Sequence, residues 1–348
     1  MKIEVDAITV PTDEPESDGT LAWDSTTIVV VRIDEGVGYT YCDAAAATLI
    51  RRTLATLVEE DVRAAWLAMN AAVRNMGRPG IASCAISAVD QALWDRKARR
   101  LGVPLVELLG PAHDGVPIYG SGGFCSYSLD RLQEQLGDWA TAGIPRVKMK
   151  IGREPERDPA RLDAAREAVG QDVELFVDAN GAFSRKQALA WAERYALEWG
   201  VTWFEEPVSS ADAEGLRLIR DHAPAPLEIA AGEYAYVPAD FRHLVGAVDC
   251  LQADVTRCGG ITGLLGVAGL CDAFQLDLSA HCAPAISAQA FAAVPRLRHL
   301  EYFHDHVRIE RMLFDGVPEP DGGLLRPDRS RPGNGLEPKL QEVERWAA

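Results

Sequence analysis

The apolar positions of the chain change their period twice. Over residues 1 to about 42 they come in strand-like blocks, Ile3-Glu4-Val5 and Thr27-Ile28-Val29-Val30-Val31, which predict a small sheet. Pro11 to Asp24, rich in Pro, Asp, Glu and Gly, reads as a mobile loop between them. From Ala44 to Leu101 the period is helical, with Ala85, Ala88, Val89, Ala92 and Leu93 at i, i+3 and i+4 spacing. After Gly110-Pro111, short apolar strands alternate with amphipathic helices, the pattern of repeated βα units on a parallel sheet.

Strands are predicted at Val116–Tyr119, Arg146–Lys150, Glu174–Asp178, Thr202–Glu205, Leu227–Gly232, Cys250–Asp254, Asp277–Ala280 and His299–Tyr302. Such a series closes into a (β/α)₈ barrel. The Pro/Gly-rich stretch from Pro318 to Gly333 predicts a packed surface excursion rather than another unit. The expected organisation is an α+β capping domain at 1–112, the barrel at 113–316, and a C-terminal segment at 317–348 that returns to the capping domain.

Polar residues sit where barrel chemistry is done. Lys150, Asp178, Glu205, Glu233, Asp254, His281 and Glu301 each fall at the carboxyl end of a different predicted strand, 20 to 28 residues apart. One βα unit takes roughly 25 to 30 residues, so each residue occupies the next strand around the ring. Singly, an Asp or Asn after a strand is a turn former. Together, Asp178, Glu205 and Glu233 on adjacent strands would repel one another in a barrel mouth unless a cation lay between them. All-oxygen ligation suits Mg²⁺ or Mn²⁺ rather than zinc.

Lys148 and Lys150 are two apart, so a strand points both inward. Close together and near a divalent cation, they are expected to depress each other's pKa and yield a neutral amine that acts as a base. Asp254 beside His281 fixes the imidazole tautomer and stabilises its cation. Glu301 is expected to hydrogen-bond a substrate carboxylate, a capping role being the alternative. Asn180 and Trp23 are candidate substrate contacts, with a turn and simple packing as their respective alternatives.

Composition narrows the setting. A length of 348 residues suits a barrel of about 250 plus a smaller domain. Asp+Glu at 52 against Lys+Arg at 35 gives a net charge of −17, which disfavours nucleic acid and anionic membranes as partners. The apolar runs are too short for a membrane span and no leader pattern is visible, so a cytoplasmic location is the expectation. The seven cysteines are dispersed and never form C-x-x-C, which predicts reduced, mostly buried thiols.

Other signals are set aside. Arg96-Lys97-Ala98-Arg99-Arg100 reads as the solvated face of a helix. Asp178-Ala-Asn180-Gly181 lacks the rest of a calcium loop, and Gly36-Val-Gly38 lacks the third glycine of a dinucleotide loop. His304 and His306, just after the eighth strand, read as a surface loop, with a place lining the site as the alternative.

These residues resemble the enolase superfamily, and within it the mandelate racemase-like subgroup. The resemblance rests on the helical stretch Ala85 to Leu109, on Lys148-Met-Lys150, Val177-Asp-Ala-Asn180, Phe204-Glu-Glu-Pro207, Ala231-Gly-Glu233, Gln252-Ala-Asp254 with Gly259-Gly260, and on His281. It implies a capping domain whose loops close over a modified TIM barrel, and Mg²⁺ stabilising an enolate formed by loss of the proton alpha to a carboxylate. By the same resemblance Asp178, Glu205 and Glu233 are metal ligands. Lys150 is the base on one face, and Asp254 with His281 the dyad on the other. Lys148 contacts the substrate carboxylate and tunes Lys150, and Glu301 is an electrophilic hydrogen-bond donor. No lysine lies between Leu244 and Thr262, unlike muconate-lactonizing and dipeptide-epimerizing relatives.

The expected activity is dehydration of a sugar acid to a 2-keto-3-deoxy acid by a homo-oligomeric carbon–oxygen lyase that takes a small carboxylic acid as substrate. A racemase or epimerase of a 2-hydroxy acid is the second reading, and a non-catalytic binding protein on an inherited barrel the third.

Overall fold

The computed structural model describes residues 1–347. An antiparallel sheet of β1 (Ile3–Ser17), β2 (Ala22–Ile33) and β3 (Gly36–Tyr41) opens the chain. Helices α1 (Ala45–Arg52), α2 (Val62–Ala72), α3 (Ile81–Leu101) and α4 (Leu105–Leu109) complete an α+β cap. The loop expected at Pro11 to Asp24 is instead a long hairpin. β1 pairs with β2 from Ile3↔Ile33 to Pro11↔Ser25, slips register, and resumes at Glu16↔Trp23 and Ser17↔Ala22. Because β1 is an edge strand, Pro11 costs no ladder bond. At the tip, Asp18 Oδ1 accepts from the backbone N–H of Thr20 and Leu21, both at 2.6 Å.

The barrel strands are β4 (Val116–Gly122), β5 (Arg146–Lys150), β6 (Glu174–Asp178), β7 (Val201–Glu205), β8 (Glu228–Ala231), β9 (Cys250–Ala253), β10 (Asp277–Ala280) and β11 (Leu297–Phe303). They are parallel, hydrogen-bonded in sequence order, and β11 pairs with β4 to close the ring. Helices α5 (Leu129–Thr141), α6 (Asp158–Val169), α7 (Arg185–Trp199), α8 (Ala213–His222), α9 (Pro238–Leu244), α10 (Gly260–Phe274), α11 (Pro284–Phe291) and α12 (His304–Leu313) follow the strands in turn. On β5, Val147 and Met149 join the apolar core shared with these helices. Lys148 and Lys150 take the alternate positions and meet the carboxylates of other strands. Beneath the site Tyr119, Phe176, Trp203, Ala230 and Cys250 fill the interior.

Helix α3 joins cap to barrel. Its fit against β3 requires glycine, since a Cβ on Gly36 or Gly38 would lie 2.2 Å from the carbonyl of Ala92 or Ala88. Its buried polar side chains hold the turn after β9. Gln91 donates to Val255 O (3.0 Å), Ser87 Oγ accepts from Gly259 and Gly260 N–H (2.9 Å each), and Asp90 accepts from Thr262 (2.6 and 2.9 Å). The basic run on α3 is not a solvated face throughout. Arg96 is 3% exposed and ion-paired with Asp34 (2.9 Å) and Glu60 (2.7 Å).

The tail carries β12 (Phe314–Asp315), which pairs with β14 (Glu337–Pro338), and β13 (Leu324–Leu325), which pairs antiparallel with β4. It returns to the cap, where Leu105 N–H donates to Gly333 O (2.6 Å) and Asn334 Nδ2 to Val37 O (3.0 Å), before α13 (Leu340–Trp346). All seven cysteines are free. Among the described residues, no helix is long and apolar enough to cross a membrane.

Candidate active site

The strand ends deliver their polar side chains to one place, below a cavity of about 400 Å³ between barrel mouth and cap. Asp178 and Glu205 end β6 and β7, and Glu233 follows β8. Gly232 (φ 143°) makes the turn that brings Glu233 in, and a Cβ there would lie 2.0 Å from Gln252 O. One carboxylate oxygen from each of the three lies within 4.8 Å of the others, all buried. Glu205 Oε1 finds no hydrogen-bond partner among the described residues. An orphaned buried carboxylate oxygen in an all-oxygen donor set is what a hard cation such as Mg²⁺ would satisfy.

Two acid/base groups flank this triad. On one side Lys150 Nζ is 2.5 Å from Asp178 Oδ2. On the other, His281 Nε2 is 2.8 Å from Glu233 Oε2, and His281 Nδ1 is 2.8 Å from Asp254 Oδ2. Asp254 is fixed in turn, its Oδ1 accepting from Thr256 N–H (2.7 Å) and Oγ1 (2.6 Å). Burial alone would lower the His281 pKa, but Glu233, Glu301 and the Asp254 hydrogen bond hold it well above the ordinary value, as an imidazolium.

The lysines depart from expectation. Lys148 Nζ is 2.7 Å from both Glu205 and Glu301 and 3.4 Å from Asp178. Burial lowers its pKa, yet Glu205 and Glu301 outweigh that and raise it well above the usual value. Lys150 is likewise raised, Asp178 overcoming burial and the repulsion from Lys148. The mutual depression expected from their spacing loses to carboxylates contributed by other strands. Glu301 departs as well. It accepts from Lys148, from Ser121 Oγ (2.6 Å) and from Cys282 N–H (3.2 Å). Burial alone would raise its pKa, but Lys148 and His281 hold it well below the usual range. As arranged, it orients donors rather than donating.

Asn180 and Trp23 both line the cavity. Asn180 adopts a left-handed backbone (φ 45°), and its Oδ1 has no partner among the described residues. Trp23, on β2, donates its indole N–H to Glu16 (3.0 Å) and packs edge-on against Phe124.

Two wall residues were not assigned to the site from the sequence. His306, read from sequence as surface loop, is in the first turn of α12 and buried, stacked on Tyr41 with ring centroids 3.4 Å apart. Burial pushes its pKa down to about 3. It is therefore a neutral imidazole, and because Nδ1 accepts from Ala283 N–H (3.2 Å), Nε2 carries the proton. Arg257 caps the dyad, with Nε 3.3 Å from Asp254 and Nη1 donating to Glu233 O (3.2 Å). The run Asp254-Val-Thr-Arg257, one turn past the strand-end Asp, was the available signal for it.

A closed parallel barrel with a three-carboxylate mouth, flanked by a lysine and a His–Asp dyad, defines a class of metal-assisted proton-abstracting enzymes. Comparison with known proteins agrees. Residues 131–343 match the family described as Enolase C-terminal domain-like. Residues 2–110 match the Mandelate racemase / muconate lactonizing enzyme, N-terminal domain. The chain belongs to this family, the mandelate racemase-like branch of the enolase superfamily.

The chain is 31% identical over 338 residues to 3,6-anhydro-alpha-L-galactonate cycloisomerase of Streptomyces coelicolor, covering 92% of this chain and 91% of that one. It is 32% identical over 324 residues to L-talarate/galactarate dehydratase of Salmonella typhimurium (90% and 79% covered). The structure of that dehydratase liganded with Mg and L-lyxarohydroxamate superposes with a TM-score of 0.90 at 28% identity, covering 99% of this chain and 92% of that one. A mandelate racemase/muconate lactonizing enzyme-like protein from Rubrobacter xylanophilus is 59% identical with a TM-score of 0.98, 99% of both chains covered.

Proposed function

We propose that the protein is a Mg²⁺-dependent sugar-acid dehydratase, converting the acid to its 2-keto-3-deoxy product. The observation that carries the reading is the pair of acid/base groups, Lys150 and His281, on either side of the Asp178–Glu205–Glu233 triad and lining the same cavity. Sugar acids are the compounds named for the cycloisomerase and dehydratase relatives, which supports that substrate class here.

Asp178, Glu205 and Glu233 would hold the ion, and Mg²⁺ there would supply positive charge that lowers the cost of the negative charge growing when the alpha carbon loses its proton. Lys148 places a second positive charge beside the substrate carboxylate. A cation held by Asp178 would offset the carboxylate charge that raises Lys150, and Lys150, freed of its own proton in that way, would take the proton from C2. His281, held as an imidazolium by Asp254, gives its Nε2 proton to the departing C3 hydroxyl, which leaves as water. The C2–H and C3–O bonds break, and the enol that remains tautomerises to the 2-keto acid.

A panel of aldonic, aldaric and uronic acids, assayed with Mg²⁺ for 2-keto product, tests this, and at least one acid is expected to lose water. The same two flanking groups also suit a racemase or epimerase. Loss of water from none of the acids, with inversion of a chiral 2-hydroxy acid, would establish that second reading instead.

A further inference from the structure

The cavity is electrically lopsided. At its barrel end stand Lys150 and Arg257, with Lys148 beneath. The His281 imidazolium, Glu233 and Glu301 line this end too, and its three cations are already engaged, Lys150 with Asp178, Arg257 with Asp254 and Glu233 O, and His281 with Asp254 and Glu233. The rest of the wall, built from the capping strands and the start of α12, presents Trp23, Ser25, Thr26, Tyr41, Asp43 and His306, the last seated beside Ala283 after the dyad histidine. Among the described residues lining that wall none is Lys or Arg, and His306 is a neutral imidazole with a proton to donate from Nε2. Arg153, at the hairpin tip, donates to the carbonyls of Asp18 (3.4 Å) and Leu21 (3.1 Å) and does not line the cavity. Behind the wall Thr26 Oγ1 donates to buried Asp305 (3.0 Å), which is paired with Arg308 (3.1 Å), and Trp23 donates to buried Glu16.

We infer that the substrate carries one carboxylate, bound at the metal end, and a neutral hydroxylated tail that lies against Trp23, Tyr41 and His306. It is an aldonate-class monoacid rather than a diacid. A second carboxylate against that wall would lose its hydration, find no cation that is not already paired, and face Asp43. Hydroxyl groups find the partners they need in Ser25, Thr26 and the His306 N–H, and the sugar's C–H faces find the Trp23 and Tyr41 rings. This rests on the sugar-acid reading above, and it sets the chain apart from the talarate/galactarate dehydratase it resembles.

The test pairs each monoacid with the diacid of the same configuration, D-gluconate with D-glucarate and D-galactonate with galactarate, on the Mg²⁺-loaded protein. For the pair that reacts, kcat/KM for the monoacid is expected to exceed that for the diacid by about 100-fold, the usual size of a like-charge penalty. A diacid turned over as well as its monoacid overturns the inference and leaves the dehydratase reading standing. If neither loses water, the dehydratase reading fails, and calorimetric binding of the same pairs decides the inference. A monoacid bound at least tenfold more tightly upholds it, and equal or tighter diacid binding overturns it.

Discussion

The carboxyl groups of Glu16, on the capping hairpin, and Asp305, in the first turn of α12, approach within 4.8 Å of each other, both buried. Two carboxylates so placed do not both ionise at neutral pH. Burial, and then Asp305, push Glu16 up to about 9, making it the protonated partner. The same carboxyl accepts from Trp23 (3.0 Å) and Tyr127 (3.3 Å), which fixes the indole at the cavity wall. Asp13, His304 and Arg308 surround the pair, His304 on Asp13 and Arg308 on Asp305. A folded-state pKa above the unfolded value of 4.5 means that this contribution is complete below that pH and lost as pH rises through about 9. KM is expected to climb through that range with a smaller change in kcat, and Glu16→Gln is expected to flatten the climb. Steady-state kinetics of both proteins across pH check this, and an unaltered slope in the variant contradicts it.

Lys150→Ala and His281→Asn each remove one of the flanking acid/base groups and leave the three metal ligands in the chain, although Asp178 loses its lysine partner and Glu233 its histidine partner. Each is expected to lower kcat by about 10²- to 10⁴-fold, the usual worth of a positioned proton-transfer group. Circular dichroism and melting temperature should stay near wild type, because both side chains serve the site rather than the core. Near-normal rates in both variants would remove the proton-transfer assignment.

Gly232→Ala tests the turn that delivers Glu233. The added methyl would have to displace the Gln252 carbonyl in a backbone region that side chains avoid, at a cost of ~1–3 kcal/mol. The expected signs are a lower denaturation midpoint and weaker Mg²⁺ binding by calorimetry. A variant with wild-type metal affinity would show that Glu233 reaches its place by another route.

Much of this arrangement was readable from the chain because each barrel unit is local. A strand, its terminal polar residue and the following helix span fewer than 30 residues, so Asp178, Glu205 and Glu233 announce themselves by spacing. What escaped depends on contacts between distant segments. The stretch from Pro11 to Asp24 has the composition of a loop, yet it extends as a strand because β2 lies beside it and its free edge tolerates proline. His306 looked exposed until Tyr41, from the cap, was laid on its ring. Arg96 is buried by Asp34 and Glu60, neither of which shares its helix. The charge of the lysine pair could not be read from β5, since Glu205 and Glu301 arrive on β7 and β11.

The measurement that bears most directly on the central claim, Mg²⁺-dependent removal of the proton alpha to a carboxylate, is proton NMR of candidate sugar acids incubated with the protein in D₂O. With Mg²⁺ the C2 proton signal of at least one acid is expected to disappear, through exchange or conversion to the 2-keto product. EDTA should stop that loss and added Mg²⁺ restore it. Loss of the C2 proton that continues unchanged in EDTA, or its complete retention in every 2-hydroxy acid at saturating Mg²⁺, would contradict the account.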